Sequence, residues 1–107
     1  MKIIELLDQA KKRPGMFIGR SNDFYSAKAF LCGLKIGAKY ASIEYTWEEY
    51  LEASEELGYD PRGNIGVERD FRNKGLSEEE MVSELISIEQ NAYEKALKRK
   101  GLTSDFT

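Results

Sequence analysis

A chain of 107 residues that is 41% hydrophobic and 33% charged has material for one compact core and too little for two. Sixteen Lys and Arg against nineteen Asp and Glu give a net charge of −3 and a pI near 5.1, which argues against a general nucleic-acid binder. The chain has no histidine, which removes the commonest general base and zinc ligand, and with them every Ser-His and Cys-His catalytic pair.

Ile3, Ile4, Leu6, Leu7 and Ala10, interleaved with charged and polar residues, trace an apolar stripe at helical spacing. Glu5 and Asp8 interrupt what a signal peptide would keep apolar, and no apolar run approaches the roughly 20 residues of a membrane span, so a cytoplasmic location is expected. Pro14 excludes the helical region for Arg13 and ends this helix. Pro14-Gly15 then predicts a turn, with Met16, Phe17 and Ile18 folding back on the core as a clasp before Gly19 turns the chain again.

Ala27, Phe30, Leu31, Leu34, Ala38 and Ala41 recur at helical spacing and predict the central helix over residues 24–42, with Lys28, Lys35 and Lys39 on its wet side. Cys32, the only cysteine, falls among these apolar residues, rules out an internal disulfide and reads as a buried, inert thiol. Ala29, Gly33 and Gly37 lie four apart on one face, where another element can approach the backbone closely. Packing within the chain is the expected use of that face, and self-association, as a homodimer, is the alternative.

Thr46-Trp47-Glu48-Glu49 is a capping box that starts a helix, closed near residue 57 by Gly58 in the left-handed conformation. Trp47, Tyr50, Leu51, Ser54 and Leu57 share one side of it, and Glu48, Glu52, Glu55 and Glu56 the other. Residues 58–66 are rich in turn formers and 67–75 have no clean period, so an ordered loop with room for a small hairpin is expected. Ser77 to Glu80 form a second capping box, and Met81, Val82, Leu85, Ile88, Ala92, Tyr93 and Ala96 predict a long helix over 78–100 that Gly101 stops. The expected architecture is all-α, a single-domain helical bundle of about four helices over residues 1–101, with 102–107 as a frayed tail.

Candidate chemistry is sparse. Gly58 to Gly66 holds three glycines and Arg62 but lacks the Gly-Lys-Ser/Thr ending of a phosphate loop. Pairs such as Glu48 with Glu52 lack the Glu-x-x-His companions usual in carboxylate metal sites of helical bundles, so neither a metal nor a cofactor is expected. Tyr40, Tyr45 and Tyr59 have no base beside them in sequence.

Charge is distributed unevenly, with net +5 over residues 1–43 and net −8 over 44–107. An acidic face made of Glu48, Glu52, Glu55 and Glu56, extended by Asp60 and Glu44, is therefore the expected binding surface for a basic protein partner.

The segment Lys12-Arg13-Pro14-Gly15-Met16-Phe17-Ile18-Gly19 resembles the Arg-Pro-Gly-Met-Tyr-Ile-Gly segment of the ATPase domain of type II topoisomerases. The helix that supplies a catalytic Glu and a magnesium-binding Asn in that family reads Ala29 to Gly37 here and carries neither, so ATP hydrolysis is rejected. Length and order fit a second family better. Residues 3–40, with the same motif followed by Phe30-Leu31-Cys32-Gly33, resemble small bacterial immunity-type proteins that neutralise toxin domains. That resemblance implies a cytosolic, non-enzymatic inhibitor whose partner is a toxin domain.

Overall fold

The computed structural model describes residues 2–19 and 23–101. Among them are α1 (Ile3–Lys12), α2 (Pro14–Phe17), α3 (Phe24–Tyr40), α4 (Trp47–Glu56), α5 (Glu68–Asn73) and α6 (Glu78–Arg99), with no strand. The chain is a single all-α domain. The tail expected to fray, 102–107, lies outside the described residues.

α6 is the axis of the fold, and the expectation that the helix over 24–42 would be central is corrected. α1, α3 and α4 each pack against α6, whose buried residues, from Met81, Val82 and Leu85 to Tyr93, Ala96 and Leu97, cover about half of its circumference. A helix that three others contact is the hub of the bundle even though its far face, with Glu94 and Lys98, stays exposed. Both α4 and α6 start at the expected capping boxes, in which Thr46 and Ser77 accept from the third helical amide and Glu49 and Glu80 reach back. Gly58, at φ +90°, closes α4 in the left-handed conformation.

The segment expected to be a loop holds a helix instead of a hairpin. α5 has no side-chain cap, and tertiary packing supplies its stability. Phe71 is fully buried and meets Phe24 and Tyr59 edge to face, at centroid distances of 5.9 and 4.8 Å. The buried Glu68 accepts from the Tyr25 hydroxyl at 2.7 Å and from Arg72, and Arg72 also reaches Glu78, which accepts from the Phe24 amide. This network pins the start of α3 to α5 and α6.

Three further expectations are corrected. Met16 is 73% exposed, so the clasp consists of Phe17 and Ile18 alone, with Phe17 tilted against Phe30 at 6.2 Å. Gly15 sits in the single turn of α2, and a β-carbon there would meet nothing. Cys32, Gly33 and Gly37 are exposed, and β-carbons at the two glycines would also meet nothing, so among the described residues no element packs on that face of α3.

Candidate functional site

The uncovered face of α3 borders a groove. One part, a cleft of about 340 Å³, is walled by Lys28, Cys32 and Lys35 of α3 and by Tyr45, Trp47 and Tyr50, and floored by Leu31, Leu85 and Glu89. A second cleft of about 340 Å³ shares Cys32 and Lys35 and continues past Ile36 to Lys39 and Glu44. A third, sharing Lys39, Glu44 and Tyr45, runs on to Thr46, Arg99 and Lys100. From Lys28 to Lys39 the groove follows roughly 16 Å of helix.

One wall is aromatic. The capping box places Trp47 at the first position of α4 and Tyr50 one turn on, and the Tyr45, Tyr50 and Trp47 rings stack in series at 5.5 and 6.1 Å. The edge of Tyr45 abuts Tyr93 at 5.0 Å, and the Lys35 ammonium lies 4.8 Å from the Tyr45 ring centroid. Trp47 stays 52% exposed at the mouth.

The floor carries a carboxyl group. Glu89 Oε1 accepts from the Tyr45 hydroxyl at 3.0 Å, and the residue is 8% exposed. Burial pushes its carboxyl up to about 7, against the opposing pull of the Tyr45 hydrogen bond and the Lys35 charge. Burial likewise raises the Tyr45, Tyr50 and Tyr93 hydroxyls, with the Glu89 charge adding to each shift. The site therefore holds one carboxyl group titrating near neutrality among phenols that stay protonated.

The acidic face expected to bind a partner is partly occupied from within. Lys95 of α6 reaches Glu52 at 3.1 Å and Glu56 at 2.6 Å, and Asn91 also donates to Glu56. Arg99 holds Glu49 at 2.8 Å, and Asp60 faces Arg62 at 2.9 Å. These contacts hold the Glu49, Glu56 and Asp60 carboxyls below the usual range, through the Arg99, Asn91 and Arg62 hydrogen bonds respectively. Glu55 has only Arg62, at 3.8 Å, and Glu48 has no ion pair among the described residues. Lys28, Lys35 and Lys39 likewise face no carboxylate at ion-pair distance among those residues.

Sequence reading missed the groove. Glu89 occupies an interior position of α6 with no motif around it, and its burial is set by Tyr45, which lies 44 residues away in sequence. The available signals were the lysines at 28, 35 and 39, which share a helix face, and the aromatic cluster Tyr45, Trp47, Tyr50.

Among the described residues, no group of three His, Cys, Asp or Glu side chains is placed to hold a metal ion, and no helix is long and apolar enough to cross a membrane. The geometry defines an all-α bundle with an open aromatic and cationic groove. No family model matches the chain and no solved structure does. The chain is similar to part of the chaperone protein DnaK of Cyanidium caldarium, 35% identical over 81 residues, an alignment covering 76% of this chain. It spans 12% of the length of that curated relative.

Proposed function

We propose that the protein is a non-enzymatic cytoplasmic binding protein of immunity type, which masks a toxin domain by covering it. One observation carries the binding role: Ile36 and Trp47, 63% and 52% exposed, both line the connected clefts of one groove. Contiguous exposed apolar surface of this kind marks interaction sites in small soluble proteins. The immunity character rests on the resemblance of residues 3–40, and the preference for a basic toxin rests on the acidic edge of α4. Glu48 and Glu55, with the weakest internal pairing of that edge, contribute most of its steering.

Tagged protein expressed in its own cells is expected to co-purify with one stoichiometric basic domain. Glu48→Lys combined with Glu55→Lys is expected to slow association severalfold, with an effect that fades as salt rises. An unchanged association rate would remove the acidic edge from the proposal. A second reading, self-association through α3, is favoured by the open face around Gly33, Ile36 and Gly37. Sedimentation would reveal it as a stable dimer insensitive to salt.

A further inference from the structure

We propose that the groove along α3 is the docking site for an acidic peptide segment of a partner protein, one that carries an aromatic or branched apolar anchor. The inference rests on the binding role proposed above, and is independent of the toxin character of the partner and of the acidic edge of α4.

Three features select this occupant. The groove is open and elongated: its successive clefts share Cys32 and Lys35, then Lys39 and Glu44, so an extended chain fits it better than a compact molecule does. The cleft of about 340 Å³ between the Trp47 and Tyr50 rings and the Leu31 and Leu85 side chains has the size and lining to take one large apolar side chain. Lys28, Lys35 and Lys39, spaced along that wall, place cations where glutamates or aspartates flanking such an anchor would lie. Across from them Trp47, Tyr50 and Leu85 are uncharged, and Arg99 and Lys100 add positive charge only in the cleft beyond Lys39. Burial raises the Glu89 carboxyl at the base to about 7, so near neutral pH it is partly protonated and repels an acidic guest less than an ordinary carboxylate would.

Lysines beside stacked rings also describe a single-strand nucleic-acid groove. The surroundings favour the peptide. Glu44 lines the groove, Glu48 follows Trp47, and the chain carries a net charge of −3, so a long polyanion gains less than a short acidic segment, even with Arg99 and Lys100 continuing the positive charge past Lys39.

The test uses the full chain and a synthetic peptide long enough to span the groove, with glutamates flanking a central Phe-Leu pair. Trp47 is the only tryptophan and Cys32 the only cysteine, so both reporters stand in the groove. The peptide is expected to change Trp47 emission saturably and to slow labelling of Cys32 by a thiol reagent. Affinity is expected to fall about tenfold in Lys28→Glu/Lys39→Glu and to weaken as salt rises. The proposal is overturned if the peptide does not saturate, if its lysine-for-glutamate counterpart binds as well, or if oligothymidylate binds more tightly. Should the double variant fail to fold, Cys32 protection and salt dependence in the native protein decide the matter. A native protein that co-purifies with a partner while ignoring the peptide would overturn the groove assignment and leave the binding role standing; one that binds the peptide but captures no partner would do the reverse.

Discussion

The Tyr45 hydroxyl donates to Glu89 Oε1 at 3.0 Å, tying the connection before α4 to the middle of α6. The pair closes the base of the groove, and its pH dependence follows from which protonation state burial favours. Glu89 is shifted up from its ordinary 4.5 to about 7 in the folded chain, facing Lys35 from α3, Tyr45 and Tyr50 from the opposite wall and Tyr93 on its own helix. A raised carboxyl means the folded state holds the proton more tightly than the unfolded chain. Its contribution is therefore complete below about pH 4.5 and is lost as pH rises through 7, by at most roughly 3 kcal/mol. Glu89→Gln keeps an acceptor for Tyr45 and removes the charge. Its melting temperature is expected to exceed that of the native protein at pH 8 and to match it near pH 4.5, and parallel pH profiles would contradict this.

Glu49 works in the opposite direction. It completes the capping box with Thr46 and receives Arg99 across the helix interface, and the Arg99 hydrogen bond leads in holding its carboxyl below 4.5. The stabilisation is present above the ordinary carboxyl range and is lost as pH falls through the lowered value. Glu49→Ala leaves the Thr46 hydroxyl capping the backbone amide of residue 49 but removes the return bond to the Thr46 amide and the cross-helix pair, so a loss of about 1–2 kcal/mol in denaturant unfolding is expected. Arg99→Ala, which spares the cap, should cost less than half of that.

Local signals made part of this fold legible. The capping boxes at Thr46 and Ser77 and the stop at Gly58 are encoded within a few residues of where they act, and the helices begin and end there. Periodicity also placed Lys28, Lys35 and Lys39 together. It could not say whether the Gly33 and Gly37 face of α3 would be covered, because a helix pattern names faces and the neighbours come from elsewhere in the chain. α5 was hidden for the same reason, since Phe71 fixes it through Phe24 and Tyr59 and no cap announces it. Charge counting overstated the acidic face of α4 because Lys95, 39 residues beyond Glu56, folds back onto it.

Phe71 therefore carries more of the fold than its unpatterned surroundings suggest. It is fully buried between two rings, and Phe71→Ala is expected to destabilise by about 3–5 kcal/mol in urea unfolding. Hydrogen exchange should show α5 losing protection first, since its six residues have no side-chain cap to hold them. A cost below about 1 kcal/mol would mean that α5 packs independently of this ring.

Gly15 tests the turn expected of the Arg13-Pro14-Gly15-Met16 segment. A glycine required for a tight turn resists any side chain, but here the residue is exposed within a helical turn and a β-carbon meets nothing within 4 Å. Gly15→Ala is expected to raise stability by up to about 1 kcal/mol through the smaller entropy of the unfolded chain. A clear fall in melting temperature would assign the glycine a backbone role that its geometry does not require.

Tyr93 is the opposite case, a polar atom placed where nothing answers it. Its ring is 1% exposed and packs against Tyr45, and its hydroxyl has no hydrogen-bond partner among the described residues. An unpaired buried hydroxyl costs about 1–3 kcal/mol, while removing it forfeits little packing because the ring stays. Tyr93→Phe is therefore expected to leave stability unchanged or to increase it by about 1 kcal/mol. Because Tyr93 lies one turn from Glu89, the substitution also removes a dipole beside that carboxyl and leaves the Tyr45 bond intact. The Glu89 midpoint, followed by carboxyl chemical shift, should move little, and a stability loss above about 1 kcal/mol would overturn the assignment of the hydroxyl as unpaired.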